Sequence, residues 1–209
     1  MIMSKRREKK ILTLAETEGL KAACVSFSDQ VIVFVPLYTA MRLDEVCHLK
    51  PSWISENFNI IFIPKEDKEW IPDRLKKGIT KWHPKAAGYR KPGTNIIRRH
   101  TSARPAYVLN PCLIPILEQI VDHNYMIKMT PKQVSLRLHQ LWRNAGFKDR
   151  ISIHFLRHTA LSRLAHAGFT VDDIKGQAGH TDGAFTLRTY IHSDNIMLER
   201  RLKEQGGIE

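Results

Sequence analysis

The sequence has few cysteines, no long apolar run and no targeting segment, and each absence argues against a class of protein. Three cysteines in 209 residues, odd in number and widely spaced, indicate reduced core thiols rather than a disulfide framework or a zinc site. The longest apolar run, residues 31–41, is too short to cross a bilayer. No adequate apolar stretch adjoins the basic N-terminus, so no secretory signal is predicted. We therefore expect a cytoplasmic protein with no membrane partner.

Acidic residues are also in deficit, and the excess of basic charge is concentrated in one stretch. The chain carries 33 lysines and arginines against 21 acidic residues, a formal net charge of +12. Residues 65–104 hold twelve basic and four acidic residues, with Trp70, Trp82 and Tyr89 among them. This pattern is typical of a nucleic-acid surface, the alternative being a solvated loop. The predicted DNA contacts in it are Lys68, Lys76, Lys77, Lys81, Arg98 and Arg99.

Helix caps and apolar spacing predict an α+β protein, mostly α-helical with a small antiparallel β-sheet. Capping patterns that open helices stand at Thr13, Thr130 and Thr170. A buried helical segment is predicted to start at Ser28-Asp29 and to be kinked or broken at Pro36. A strand is predicted at 58–63, with further short strands at 69–72 and 105–109. Two helices are expected to bury, respectively, Leu113, Leu117, Ile120 and Val121, and Val134, Leu138, Leu141, Trp142 and Ala145.

The domain organisation expected from these signals is a single unit with a short tail. Residues 1–11 are interpreted as a basic N-terminal tail or linker remnant, and 12–209 as one domain. Within that domain, 65–110 would form an extended basic hairpin region and 193–209 a C-terminal helix or tail.

Four short motifs carry the functional signal. They are YTAMRLDE at 38–45, HFLRHT at 154–159, GHTD at 179–182 and TYIH at 189–192. In this order and spacing the chain resembles the tyrosine recombinases and phage integrases, from Leu12 to about Arg200. Their signature is an arginine with a glutamate three residues on, then His-x-x-Arg, Gly-His and a C-terminal tyrosine. The resemblance implies the tyrosine-recombinase catalytic-domain fold and a DNA strand transferase that works through a 3′-phosphotyrosyl intermediate.

Two arginines in these motifs suit the chemistry of phosphodiester cleavage. Attack on the phosphorus builds negative charge on the non-bridging oxygens, and a planar guanidinium can grip two oxygens at once. Arg42 and Arg157 would supply this clamp from two different helices. His154 lies three residues before Arg157 and so points from the same helix face. Glu45 is placed to hold the helix of Arg42 or to orient an active-site side chain.

The resemblance assigns the remaining roles. Tyr190 would be the nucleophile, and because a tyrosine has a pKa of about 10, it needs a base or an electropositive pocket. His154 would be that base, and His180 would bond the phosphate or the phenolic oxygen. Lys65 is the best match to the lysine that protonates the leaving 5′-hydroxyl, followed by Lys68 and then by Lys76 or Lys77. No metal and no other cofactor is required.

Several expectations stay open at the level of the sequence. Ala40 stands where the family usually has glycine, and the interval from His180 to Tyr190 is one residue longer than typical. The N-terminal core-binding domain of the family is not found in the chain. Double-stranded DNA is the expected partner, with a homotetramer on DNA as in the family. The alternatives are a type IB topoisomerase-like enzyme that only relaxes DNA, and a DNA-binding module that no longer cleaves.

Overall fold

The computed structural model describes residues 11–64 and 103–180, together with the backbone of two short strands at 89–90 and 97–98. The α-helices in these parts are α1 (Leu14–Ala22), α2 (Phe27–Thr39), α3 (Leu43–His48), α4 (Ile114–Asp122), α5 (Pro131–Asn144), α6 (Ile153–His166) and α7 (Val171–Ala178). The strands are β1 (Ile60–Ile63), β2 (Tyr89–Arg90), β3 (Ile97–Arg98) and β4 (Arg104–Tyr107). None of the helices in the described ranges is long and apolar enough to span a membrane.

Local capping signals set most of the helix starts. The predicted capping boxes at Thr13, Thr130 and Thr170 are confirmed, and each threonine accepts a hydrogen bond from the third helical residue. The predicted start of α2 is wrong by two residues, because Ser26 is its cap and Asp29 closes the box. Of the two outcomes predicted at Pro36, a kink or a break, the break is wrong, since α2 continues to Thr39. Pro36 has no N–H to donate, so α2 lacks one backbone hydrogen bond. Burial on nearly all sides of the helix stabilises it by more than the loss of this bond costs.

The core is built around α2, which packs against α6, α5, α3 and α1. The expected core positions of α5 are confirmed for four residues and Ala145 is only half-buried. In α4 the prediction is wrong for Val121, which is exposed because it lies about 100° around the helix from buried Ile120. The three cysteines are free, but Cys112 is exposed and so is not a core thiol.

The small antiparallel sheet is confirmed. β1 pairs with β4 in a two-stranded sheet, so that Ile60 faces Tyr107 and Ile63 faces Arg104, and β2 pairs with β3 in a second two-stranded sheet. Both β1 and β4 are shorter than predicted, and the strand predicted at 69–72 lies outside the described residues. β4 packs against α7. This contact brings the first residue of β4, Arg104, next to the helix end that carries the Gly-His motif.

A buried ion pair between α2 and α5 leads to a prediction about acid stability. Arg137 donates to both carboxylate oxygens of Asp29, at 2.6 and 2.8 Å. Burial raises the pKa of Asp29, but the hydrogen bonds from Arg137 and Ser26 outweigh it and bring this pKa to about 2. Because the folded pKa lies below the unfolded value, the stabilisation is complete above about pH 4 and is lost as the pH falls towards 2.

We expect Asp29→Asn to lower the free energy of unfolding at pH 7 by on the order of 2 kcal/mol, because the half-buried guanidinium of Arg137 loses its charged partner. Urea unfolding at pH 7 and pH 3 should show a smaller difference from wild type at pH 3. Glu18→Gln, which removes an exposed pair with Lys21, is the control and should change stability by less than about 1 kcal/mol. An Asp29→Asn deficit that is equal at both pH values would contradict the assignment.

Candidate active site

The turn between α2 and α3 places Arg42 at the start of α3. Ala40 ends α2 in the left-handed conformation, with φ 55° and ψ 26°. Glycine adopts this conformation most easily, whereas alanine adopts it at a cost of about 1 kcal/mol. The chain therefore makes the turn without glycine. Arg42 then caps α3, and its backbone N–H and Nη1 donate to the two oxygens of Glu45, at 2.6 and 2.9 Å.

A second guanidinium lies beside that of Arg42. Arg157, on α6, is only 3% exposed. Its Nη1 donates to the carbonyl of Ala40, and its Nη2 donates to the carbonyl of Ala178 at 2.5 Å. The Nη2 of Arg42 donates to the same Ala178 carbonyl and to that of Gly179, both at 3.0 Å. The shared acceptor holds the two predicted arginines next to each other, although they are far apart in sequence.

The end of α7 adds His180 to this pair. Gly179 caps α7 with φ 57°, and a Cβ at this position would overlap Cδ of Arg104. A residue without a side chain is therefore required for both backbone conformation and space. The next residue, His180, has Nε2 at 3.3 Å from Nη2 of Arg157. Because a guanidinium only donates, this nitrogen of His180 is the one without a proton.

His154 is paired with His158 one turn later on α6. Their Nε2 atoms lie 2.8 Å apart and their rings meet edge to face. A hydrogen bond between two imidazole nitrogens needs one acceptor, so at least one of the two rings is neutral. His154 is exposed and His158 is buried. His158 is thus the buried partner of His154.

Arg104 is a third arginine of this cluster, which the motifs did not single out. Its Nη2 donates to Glu45 at 2.7 Å and its Nη1 donates to the carbonyl of Gln177 at 2.6 Å. The residue is 6% exposed. In the sequence it is only the last residue of the basic stretch. An arginine before a short strand carries no signal that it will be buried.

The family model that matches this chain is that of the phage integrase family, over residues 2–196. The chain belongs to the phage integrase family. Membership places it among proteins of DNA recombination and integration. No match is found among curated protein sequences.

Solved structures of this family have the same fold. The XerA recombinase is 18% identical, with a TM-score of 0.67 over 100% of this chain and 68% of that one. The Tn1549 transposon integrase in complex with transposon right end DNA is 18% identical, with a TM-score of 0.65 over 95% and 68%. The catalytic domain of bacteriophage HP1 integrase is 16% identical, with a TM-score of 0.54 over 87% of each chain. These likenesses confirm the predicted fold class.

The cluster of Arg42, Glu45, Arg104 and Arg157 carries more positive than negative charge. Burial raises the pKa of the Glu45 carboxyl, but the guanidiniums around it, Arg104 the most, outweigh this effect and hold that pKa below its ordinary value. Glu45 is therefore ionised at neutral pH. Arg42, Arg104 and Arg157 remain charged at that pH as well. Among the residues that the structure describes, three guanidiniums against one carboxylate leave this cluster a surplus of two positive charges.

Several predicted site residues lie outside the described residues. They are Lys65 and Tyr190 of the catalytic set, and Lys68, Lys76, Lys77, Lys81 and Arg99 of the predicted DNA contacts. For Arg98 only the backbone is described, as part of β3. The structure thus brings together Arg42, Glu45, Arg157 and His180, and places His154 on the same helix as Arg157.

Proposed function

We propose that this chain is the catalytic domain of a site-specific DNA recombinase that cleaves and rejoins double-stranded DNA through Tyr190. The observation that carries the proposal is the surplus of two positive charges at the cluster of Arg42, Arg104 and Arg157. A phosphodiester carries one negative charge, and attack by an oxygen nucleophile adds a second in the transition state. Fixed charge aimed at the place where charge develops is the largest single contribution in many enzymes.

The described contacts suit this role in two ways. Arg42 is 34% exposed, so a DNA phosphate can reach its guanidinium from solvent. Arg157 is held by two backbone carbonyls, so its charge stays in place without reorganisation during the reaction. The guanidinium of Arg42 presents five N–H groups. Its contacts to Glu45, Ala178 and Gly179 use three of them, which leaves two donors for phosphate oxygens among the described residues.

The proposed reaction is a pair of transesterifications. The Tyr190 oxygen attacks phosphorus, the P–O bond to the 5′-oxygen breaks, and a 3′-phosphotyrosyl bond forms. His154 takes the phenolic proton, Lys65 gives a proton to the 5′-oxygen, and His180 bonds the phosphate. A 5′-hydroxyl then attacks the phosphotyrosyl bond in the reverse sense. No energy source is consumed, because a phosphodiester bond is replaced by a phosphotyrosyl bond and then restored.

Double-stranded DNA is the partner that this proposal requires. The Tn1549 integrase structure holds a transposon DNA end, and the XerH recombinase structure holds a difH substrate. Recombination joins two sites, so we propose that the chain acts as a homotetramer on DNA. A cleaved synapse of two DNA sites would separate recombination from relaxation by a topoisomerase-like enzyme, which works on one site.

The test is the trapping of a covalent protein–DNA adduct on nicked duplexes with a randomised sequence, resolved under denaturing conditions. We expect an adduct, and we expect it to persist in excess EDTA, because the arginines take the charge-neutralising role that a divalent ion has in many nucleases. DNA binding without any adduct would favour the non-cleaving module. Adduct formation that is lost in EDTA and restored by magnesium or zinc would contradict the mechanism.

A further inference from the structure

Arg104 connects two parts of the molecule whose relative position matters for the proposed reaction. Its backbone lies opposite Ile63 in the β1–β4 pair, and Ile63 stands two residues before Lys65 in the sequence. Its side chain reaches the carboxylate of Glu45 and the carbonyl of Gln177. One residue therefore ties the end of β1 to the helix that Arg42 caps and to the end of α7.

The path of this side chain depends on Gly179. The Cδ of Arg104 occupies the space where a Cβ of residue 179 would project. The guanidinium then meets Glu45 Oε2, the same oxygen that accepts the backbone N–H of Arg42. The carboxylate is thus fixed from one side by Arg42 and from the other by Arg104.

Stability alone does not explain an arginine at this position. Burial lowers the pKa of Arg104, the nearby charge of Arg42 lowers it further, and Glu45 only opposes these effects. Its Nε has no hydrogen-bond partner in the described part of the structure. Buried ion pairs are often no more stabilising than apolar residues of similar volume. An apolar residue could therefore fill the space beside Glu45 at a lower cost in free energy. It would lack the hydrogen bonds that Arg104 directs at Glu45 and Gln177.

We propose that Arg104 is a positioning residue of the cleavage reaction. It fixes the Glu45 carboxylate and the end of α7, which both hold the guanidinium of Arg42. Arg104 thereby sets the position of Arg42 relative to β1, the strand that precedes Lys65. The expected effect on cleavage rests on the proposed function, whereas the expected effect on the position of Arg42 does not. Arg104 does not act on the phosphate in this role, because the residue is buried and its Nη1 and Nη2 donate to Gln177 and Glu45.

The test compares Arg104→Met with the control Arg137→Met, which also removes an arginine from a buried carboxylate, but between α2 and α5. Arg104→Met keeps most of the side-chain stem and loses the directed hydrogen bonds. We expect its rate of adduct formation to fall about 100-fold, the order expected for a misplacement of about 1 Å. DNA affinity should change little, and Arg137→Met should cleave like wild type despite a lower melting temperature.

A double-mutant cycle with Glu45→Gln gives a readout that a merely structural role would not move. If Arg104 acts through the Glu45 carboxylate, its removal should cost much less in the Glu45→Gln background than in wild type. Arg104→Lys is the second variant should Arg104→Met not fold. It keeps the charge but has one nitrogen in place of the two that donate to Glu45 and Gln177, so cleavage should lie between wild type and Arg104→Met.

A measurement independent of cleavage keeps this inference separate from the proposed function. Phenylglyoxal modifies accessible arginines, and peptide mass spectrometry gives the rate for Arg42 alone. We expect a several-fold faster modification of Arg42 in Arg104→Met than in wild type or Arg137→Met. Wild-type chain that forms no adduct would overturn the proposed function only. An unchanged Arg42 rate, or Arg104→Met that cleaves like wild type, would overturn the positioning role.

Discussion

Tyr190→Phe is expected to abolish the covalent protein–DNA adduct while leaving the affinity for DNA nearly unchanged. The substitution removes one hydroxyl and keeps the ring, so the proposed P–O bond cannot form but the basic surface is intact. Denaturing gels measure the adduct and native gel shifts measure the affinity. The loss of adduct should be complete, because phenylalanine has no oxygen that could attack the phosphorus.

Tyr107→Phe is the matched control for this experiment. Tyr107 lies on β4 with its side chain exposed, so loss of its hydroxyl should alter neither adduct nor affinity. An adduct that survives in Tyr190→Phe would show that another residue attacks the phosphorus. A loss of DNA binding in Tyr190→Phe would show that the hydroxyl serves recognition and not chemistry.

The second large effect is expected for Lys65→Ala. A 5′-alkoxide is a poor leaving group, and loss of its general acid should slow cleavage by roughly a hundred- to ten-thousand-fold. A 5′-thiolate leaves without protonation. Lys65→Ala should therefore be nearly inactive on ordinary DNA and largely restored on DNA with a bridging sulfur at the 5′ position. Single-turnover rates of adduct formation on both substrates measure the restoration.

Arg42→Ala provides the contrast, because its proposed role is charge on the non-bridging oxygens. The sulfur substrate should not restore its rate. If Lys68→Ala shows the restoration instead of Lys65→Ala, the predicted position of the general acid is wrong by three residues. If neither lysine variant is restored, the proton donor lies elsewhere or the leaving group is not protonated by a lysine.

The parts of the fold that were predictable from sequence are those that local interactions decide. A capping box is completed within four residues, so Thr13, Thr130 and Thr170 could be identified without tertiary information. The start of α2 is decided just as locally, because Ser26 and Asp29 have the spacing of a capping box, so the prediction of Ser28 overlooked a signal that the sequence contains. The strand lengths depend on pairing between β1 and β4, which are distant in sequence.

The same distinction applies to the site. Arg42, Arg157 and His180 lie in motifs whose order and spacing are recognisable along the chain. Arg104 has no such motif, because its burial is decided by Glu45 and Gln177, which come from opposite sides of it in the sequence. The pairing of His154 with His158 was within reach, since residues four apart on a helix are neighbours. Only the structure shows which ring is buried.

The close approach of Arg104 to Gly179 makes these two positions interdependent in any change of the sequence. A side chain at 179 would occupy the path of the arginine stem, so such a change could be accommodated only together with a smaller residue at 104. A smaller residue at 104 would in turn leave Glu45 without one of its two cationic partners. Substitutions at 104 and 179 are therefore best made as pairs when the protein is engineered, because the tolerance of one position is set by the occupant of the other.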